Sequence, residues 1–206
     1  MLSTLLAFLG ACTLIAASPG PSTVLIIKRS LRSRRSGFLT VLGNETGVFI
    51  WGVVAAFGLT ALLAASEMAY DVMRIVGAVV LVAFGVQTLW QARRSKEAVD
   101  GGWEDAEKSA WASYRGGLLL NLANPKAAIF AMSFLPQFVP EGAPHLPTMV
   151  GLAALWAVYE VGYYGLYVWF VGRMKAVLSR TGVRRRLEQV SGGVLLLLGV
   201  RLALES

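Results

Sequence analysis

The chain has one cysteine, Cys12, and one histidine, His145. A lone cysteine in an apolar run leaves no disulfide framework and no CxxC metal motif. A lone histidine argues against a histidine-ligated metal centre. Charge is scarce as well: 15% of the 206 residues are charged and 56% are hydrophobic, with a mean hydropathy of +0.61. A soluble domain of this length could hardly hide so much apolar surface. Ala16, Ala17 and Ser18 look like a signal-cleavage region, but nothing before Lys28 is charged, so the basic n-region of a signal peptide is missing. These absences leave an integral membrane protein of one domain, residues 1–206.

What is present agrees. Apolar segments run approximately over 2–28, 38–64, 70–91, 115–138, 147–171 and 189–204. About 20 helical residues cross the hydrocarbon. Five segments reach that length; the sixth is short and carries Arg201 near its end. The net charge of +7 could suggest a nucleic-acid partner. However, 16 of the 19 lysines and arginines fall in three segments: Lys28 to Arg35, Arg93 to Arg115, and Arg173 to Arg186. That is the positive-inside pattern, so no nucleic-acid partner is expected. It places loops one, three and five in the cytoplasm and both termini outside. The longest loop, about 92–114, holds both signs of charge with Trp103 and Trp111, as an interfacial segment would.

Residues 116–138 would be a plain span but for Asn121, Asn124, Pro125 and Lys126. A lysine near the bilayer centre costs roughly 2.5–3.5 kcal/mol and needs a partner or a watery cavity. Proline has no N–H for the carbonyl four residues back, here Asn121. The first segment breaks similarly at Ser18-Pro19-Gly20-Pro21-Ser22. There the carbonyls of Ile15 and Ala17 lose donors. Ser18 followed by Pro19 reads as N-cap and N1 of a new half-helix, and Asn124-Pro125 repeats the signature.

An offset of 106 residues superposes Gly10 on Gly116, Leu14 on Leu120, Ala17 on Ala123 and Pro19 on Pro125. Each proline interrupts the first helix of a three-helix half, about 1–91 and 115–206. The expected fold is therefore an all-α membrane protein of six transmembrane helices, arranged as two inverted three-helix repeats with helices one and four broken. Paired breaks in inverted halves mark a transporter binding site. The alternative is that both prolines only kink their helices.

Half-helix starts inside the membrane offer free N–H groups and positive dipole ends to a carboxylate. Lys126 adds a full charge. The acidic candidates are Glu45, within Gly43-Asn44-Glu45-Thr46-Gly47, and Glu160, which shares a helix face with Tyr163, Tyr164 and Tyr167. The two glycines allow close helix packing that would turn Glu45 inward. Either carboxyl could bind an amine, carry a coupling proton or pair with Lys126. An anion site beside carboxylates and an aromatic lining matches a zwitterion. A free amino acid is the expected substrate, with no cofactor. The glycine pairs would serve packing between chains as readily as within one, so a homo-oligomer is left open.

The sequence resembles the lysine exporter family, the LysE/RhtB amino-acid efflux proteins. Ser18-Pro19-Gly20-Pro21 is similar to that family's first-helix motif. Asn121-Leu122-Ala123-Asn124-Pro125-Lys126, followed by Phe134-Leu135-Pro136-Gln137-Phe138, resembles its most specific signature. Gly43 and Gly47 match its glycine-rich second span, and residues 77–90 resemble its third. The resemblance implies a six-helix exporter of amino acids or close relatives from the bacterial cytoplasm through the inner membrane, driven by the proton gradient. Many members have glutamine where this chain has Glu45. A metal-cation exporter is a competing reading, but Lys126 would repel the ion. An intramembrane enzyme is another, but no span core holds a histidine or aspartate to build a nucleophile–base pair.

Overall fold

The structure is a computed structural model. It describes residues 2–18, 20–65 and 109–171, with isolated helical positions between 75 and 90 and between 173 and 200. Pro19 and the side chains of Pro125 and Lys126 lie outside the described residues, as do most of the expected third and sixth spans and residues 91–108.

All the described elements are helical: α1 (Leu2–Ala17), α2 (Pro21–Arg32), α3 (Arg34–Ala65), α4 (Ala110–Leu122), α5 (Pro125–Phe134), a 3-10 turn over Leu135–Phe138, and α6 (His145–Trp169). The segment Arg34–Leu59 of α3 and all of α6 are long and apolar enough to cross a bilayer. Two further helix pairs are long and apolar enough together but bent. α1 meets α2 at 68°, and α4 meets the segment after it at 61°. Both bends fall where the prolines interrupt the apolar runs.

The expected first loop almost vanishes. α2 continues through Lys28, Arg29 and Arg32, and α3 starts at Arg34, so Ser33 alone connects them. Ser33 caps α2 by donating its N–H to the Arg29 carbonyl. Arginine and lysine are good helix formers, so the helices outlast the apolar runs. At 32 residues, α3 is about 48 Å long, against about 30 Å of hydrocarbon. α4 likewise starts at Ala110, so Trp111 belongs to a helix and stacks on Tyr114 with ring centroids 5.5 Å apart.

The basic segments that adjoin described helices meet at one end of the molecule. Arg34 at the start of α3 lies over the Trp169 ring at the end of α6, 4.6 Å from its centroid. Near the same end, Ser36 and Ser113 share a 2.7 Å hydrogen bond between α3 and α4. The broken spans consequently run in opposite directions, since α2 ends where α4 begins.

α3 is the central element and packs most extensively on α4 and α6. Its crossing with α4 is backbone on backbone. A methyl group on Gly43 would fall on the Tyr114 carbonyl, and one on Gly117 would fall on the Thr40 carbonyl. In lipid this closeness matters, because helix association there relies on packing and polar contacts.

Two apolar clusters hold the bundle. One includes Phe8, Cys12, Val48, Phe134 and Trp156; the other includes Ala16, Ile26, Val41, Tyr164 and Tyr167. In the first, Phe8 stacks on Phe134 at 5.4 Å and meets Phe138 edge-on at 5.2 Å. Phe138 ends the 3-10 turn over Leu135–Phe138, where the Gln137 side chain donates to the Ser133 carbonyl at 2.7 Å.

Candidate transport site

At the first break the cap differs from the expected one. Ser18 still belongs to the end of α1, its N–H donating to the Leu14 and Ile15 carbonyls at 3.1 and 3.2 Å. The Ile15 carbonyl is therefore not left free. Gly20 is the N-cap, extended at φ −144° and ψ −177°, and Pro21 is the first helical residue. The sequence holds two successive cap-then-proline pairs, and the fold uses the second. The dipole start of α2 lies at the bend between the two helices.

At the second break Asn124 precedes Pro125, the first residue of α5, and its carbonyl accepts the N–H groups of Ala127 and Ala128 at 3.1 and 3.4 Å. This start matches the sequence reading. The Asn121 carbonyl does not end up free. It accepts the Asn124 N–H at 2.9 Å and the Trp51 indole N–H of α3 at 3.4 Å.

A buried polar layer connects the two breaks. The Asn121 side chain donates to Asn44 Oδ1 at 3.2 Å. Asn44 Nδ2 donates to Glu45 Oε1 at 2.8 Å. The Glu45 carboxyl adjoins that of Glu160 on α6, within hydrogen-bonding reach. Glu160 Oε1 accepts the Trp156 indole N–H at 2.8 Å. One turn further along α6, the Tyr164 hydroxyl donates to the Ala16 carbonyl at 3.2 Å, and Thr23 of α2 lies against that hydroxyl.

The glycines at 43 and 47 face α4, where a methyl on Gly47 would meet Asn121. Glu45 therefore turns to α6, and its neighbour is the other carboxyl. Glu45 and Glu160 are 2% and 4% exposed, so bulk water does not screen them. Two unit charges about 4 Å apart repel by roughly 4 kcal/mol at an effective dielectric near 20. Each carboxyl sits between the two apolar clusters: Val41 and Val48 flank Glu45 on α3, and Trp156 and Tyr164 flank Glu160 on α6.

Of the sequence candidates, Asn44, Glu45, Asn121 and Glu160 form one connected group. Ser18 and Asn124 close the breaks through their backbones. Tyr163 stands beside the group, its ring 5.4 Å from that of Tyr164 and its hydroxyl 3.1 Å from that of Tyr167. Pro19 and the Lys126 side chain lie outside the described residues. Trp51, Trp156 and Thr23 were not foreseen. For Trp156 a signal exists: it stands four residues before Glu160, on the same helix face.

Comparisons with known proteins identify the family. A family model described as LysE type translocator matches residues 13–206. The homoserine/homoserine lactone efflux protein of Salmonella typhimurium is 26% identical, over 96% of this chain and 94% of its own length. The leucine efflux protein of Salmonella typhi is 27% identical, over 95% of this chain and 91% of its own. The threonine efflux protein of Salmonella typhi is 30% identical, over 74% of this chain and 71% of its own. No solved structure matches the chain.

Proposed function

We propose that this chain, which belongs to the LysE type translocator family, exports a free amino acid or close derivative from the cytoplasm. It does so as a multi-pass protein of the bacterial inner membrane. The relatives named as leucine, threonine and homoserine efflux proteins make a neutral amino acid the first candidate.

The observation that carries this reading is the buried group Asn121–Asn44–Glu45–Glu160, tied to both helix breaks. The half-helix starts after Gly20 and after Asn124, with Lys126 beside the second, supply the positive end for the substrate carboxylate. Glu45 and Glu160 supply the negative end for its amine, and they are the groups able to carry a coupling proton. The halves about 1–91 and 115–206 act as inverted repeats. Rocking of one against the other exposes the breaks to each side in turn. The proton gradient drives the cycle. No catalytic chemistry is involved.

The test is transport in sealed vesicles containing the purified protein, loaded with radiolabelled leucine, threonine or homoserine. At least one should leave faster than from protein-free vesicles, and an imposed proton gradient should accelerate it. Equal leakage of all three, with and without protein, would sink the exporter reading for these substrates.

A further inference from the structure

We infer, on the exporter reading above, that Glu45 and Glu160 form a single exchange site holding either one proton or the substrate's ammonium group, never both. Glu45 Oε1 has its donor in Asn44, whereas Oε2 is buried with no donor among the described residues. A buried acceptor without a partner is costly. The neighbouring group is another carboxyl, which ionised can only accept. A proton between the two turns one of them into a donor and relieves the like-charge contact. In the substrate-free protein this is the species that fits the geometry.

An ammonium group meets the same need. It brings three N–H donors and one positive charge to the place the proton leaves. Aromatic faces favour a cation, and Tyr163, Tyr164 and Tyr167 stand together on α6 within two turns of Glu160, with ring centroids 5.3–5.5 Å apart. Among the described residues, the other titratable groups near the pair are Cys12 from α1 and Tyr163 and Tyr164 from α6, with Tyr167 bonded to Tyr163. α4 contributes Asn121, through Asn44, and α2 contributes Thr23, through Tyr164; neither titrates. On α5, the Lys126 side chain lies outside the described residues.

The step balances without any further reactant. Facing the cytoplasm, the protonated pair gives its proton to water and takes the ammonium. Facing outward, the ammonium leaves with the substrate and the pair takes a proton from outside water. One proton enters for each zwitterion exported, and the charge of the site is the same in both states.

The full-length protein in detergent micelles, in weak buffer with a pH-indicator dye, tests this. Addition of whichever of leucine, threonine or homoserine the vesicles export should release about one proton per protein bound. Infrared spectroscopy of the substrate-free protein at neutral pH should show a protonated-carboxyl band. That band should disappear with the substrate and in Glu45→Gln, whose side chain has the same shape. Absence of the band in the unmodified protein overturns the inference and needs no variant. Export without proton release overturns the exchange while the exporter reading stands. No export by vesicles overturns that reading, and the exchange falls with it.

Discussion

The Tyr164 hydroxyl donates to the carbonyl of Ala16, in the last turn of α1, at 3.2 Å. Tyr164 follows Glu160 by one turn of α6, so a single helix positions both the Glu160 carboxyl and the end of the first half-helix. A movement of α6 against α1 and α2 must either break this bond or carry the break along with it. The carboxyl layer and the first bend are thus mechanically one unit.

Tyr164→Phe tests that unit. The phenyl ring keeps the packing in the second apolar cluster and removes the donor from a buried carbonyl, a loss of about 1–2 kcal/mol. The protein should insert and purify normally. Its melting temperature in detergent should fall by a few degrees, and its export rate should fall by more than that modest destabilisation explains. An unchanged rate in vesicles would show that the bond is structural only.

The glycines of α3 and α4 make a prediction with a built-in control. Gly43→Ala and Gly117→Ala each place a methyl group on a backbone carbonyl of the facing helix. Backbone cannot swing aside, so each should cost about 2 kcal/mol or more. Gly151→Ala and Gly162→Ala on α6 meet nothing within 4 Å and should be neutral, or stabilising by about 0.5–1 kcal/mol through helix propensity. Thermal unfolding followed by size-exclusion chromatography would check all four. Equal melting temperatures across them would refute the close crossing.

The same glycines explain what the sequence could and could not tell. Both breaks were legible, because proline removes a donor wherever it stands, and they appear as the bends of 68° and 61°. Helix ends were less legible, because hydropathy marks where the hydrocarbon stops while Arg29, Arg32 and Arg34 continue as helix beyond it. The exact cap at residues 18–21 was ambiguous, because Ser18-Pro19 and Gly20-Pro21 obey the same rule. Glu45 and Glu160 stood out as acids within spans, yet nothing in their spacing revealed that they adjoin. That depends on the rotation of α3, which Gly43 and Gly47 fix by packing on α4. The sequence suggested Lys126 as a partner for either acid, and its side chain lies outside the described residues; the geometry puts the two acids beside each other.

Lys126 opens the second half-helix directly after Pro125. Lys126→Met keeps the bulk and removes the charge. Export should be abolished while membrane insertion, read by surface labelling and yield, is retained. If Lys126 served only to balance Glu45, combining Lys126→Met with Glu45→Gln would restore activity, because neither charge would be left unpaired. We expect no recovery, since the carboxylate of the substrate would still lack its positive counterpart.

The two oxygens of Glu45 separate coupling from binding. In Glu45→Gln the amide can still accept from Asn44 and can donate towards Glu160, as the protonated acid would. The amide cannot gain or lose a proton, so Glu160 stays ionised and can take the ammonium without any proton leaving the site. Efflux should therefore lose its acceleration by a proton gradient, and exchange of labelled for unlabelled amino acid across the vesicle membrane should survive. Glu45→Leu has neither acceptor nor donor. It strands Asn44 Nδ2 without its acceptor, a buried loss of about 1–3 kcal/mol, and should reduce exchange as well. Gradient-driven efflux at the unmodified rate in Glu45→Gln would remove Glu45 from the coupling step. Loss of exchange in Glu45→Gln, in protein that still inserts and melts normally, would instead make Glu45 the residue that binds the amine.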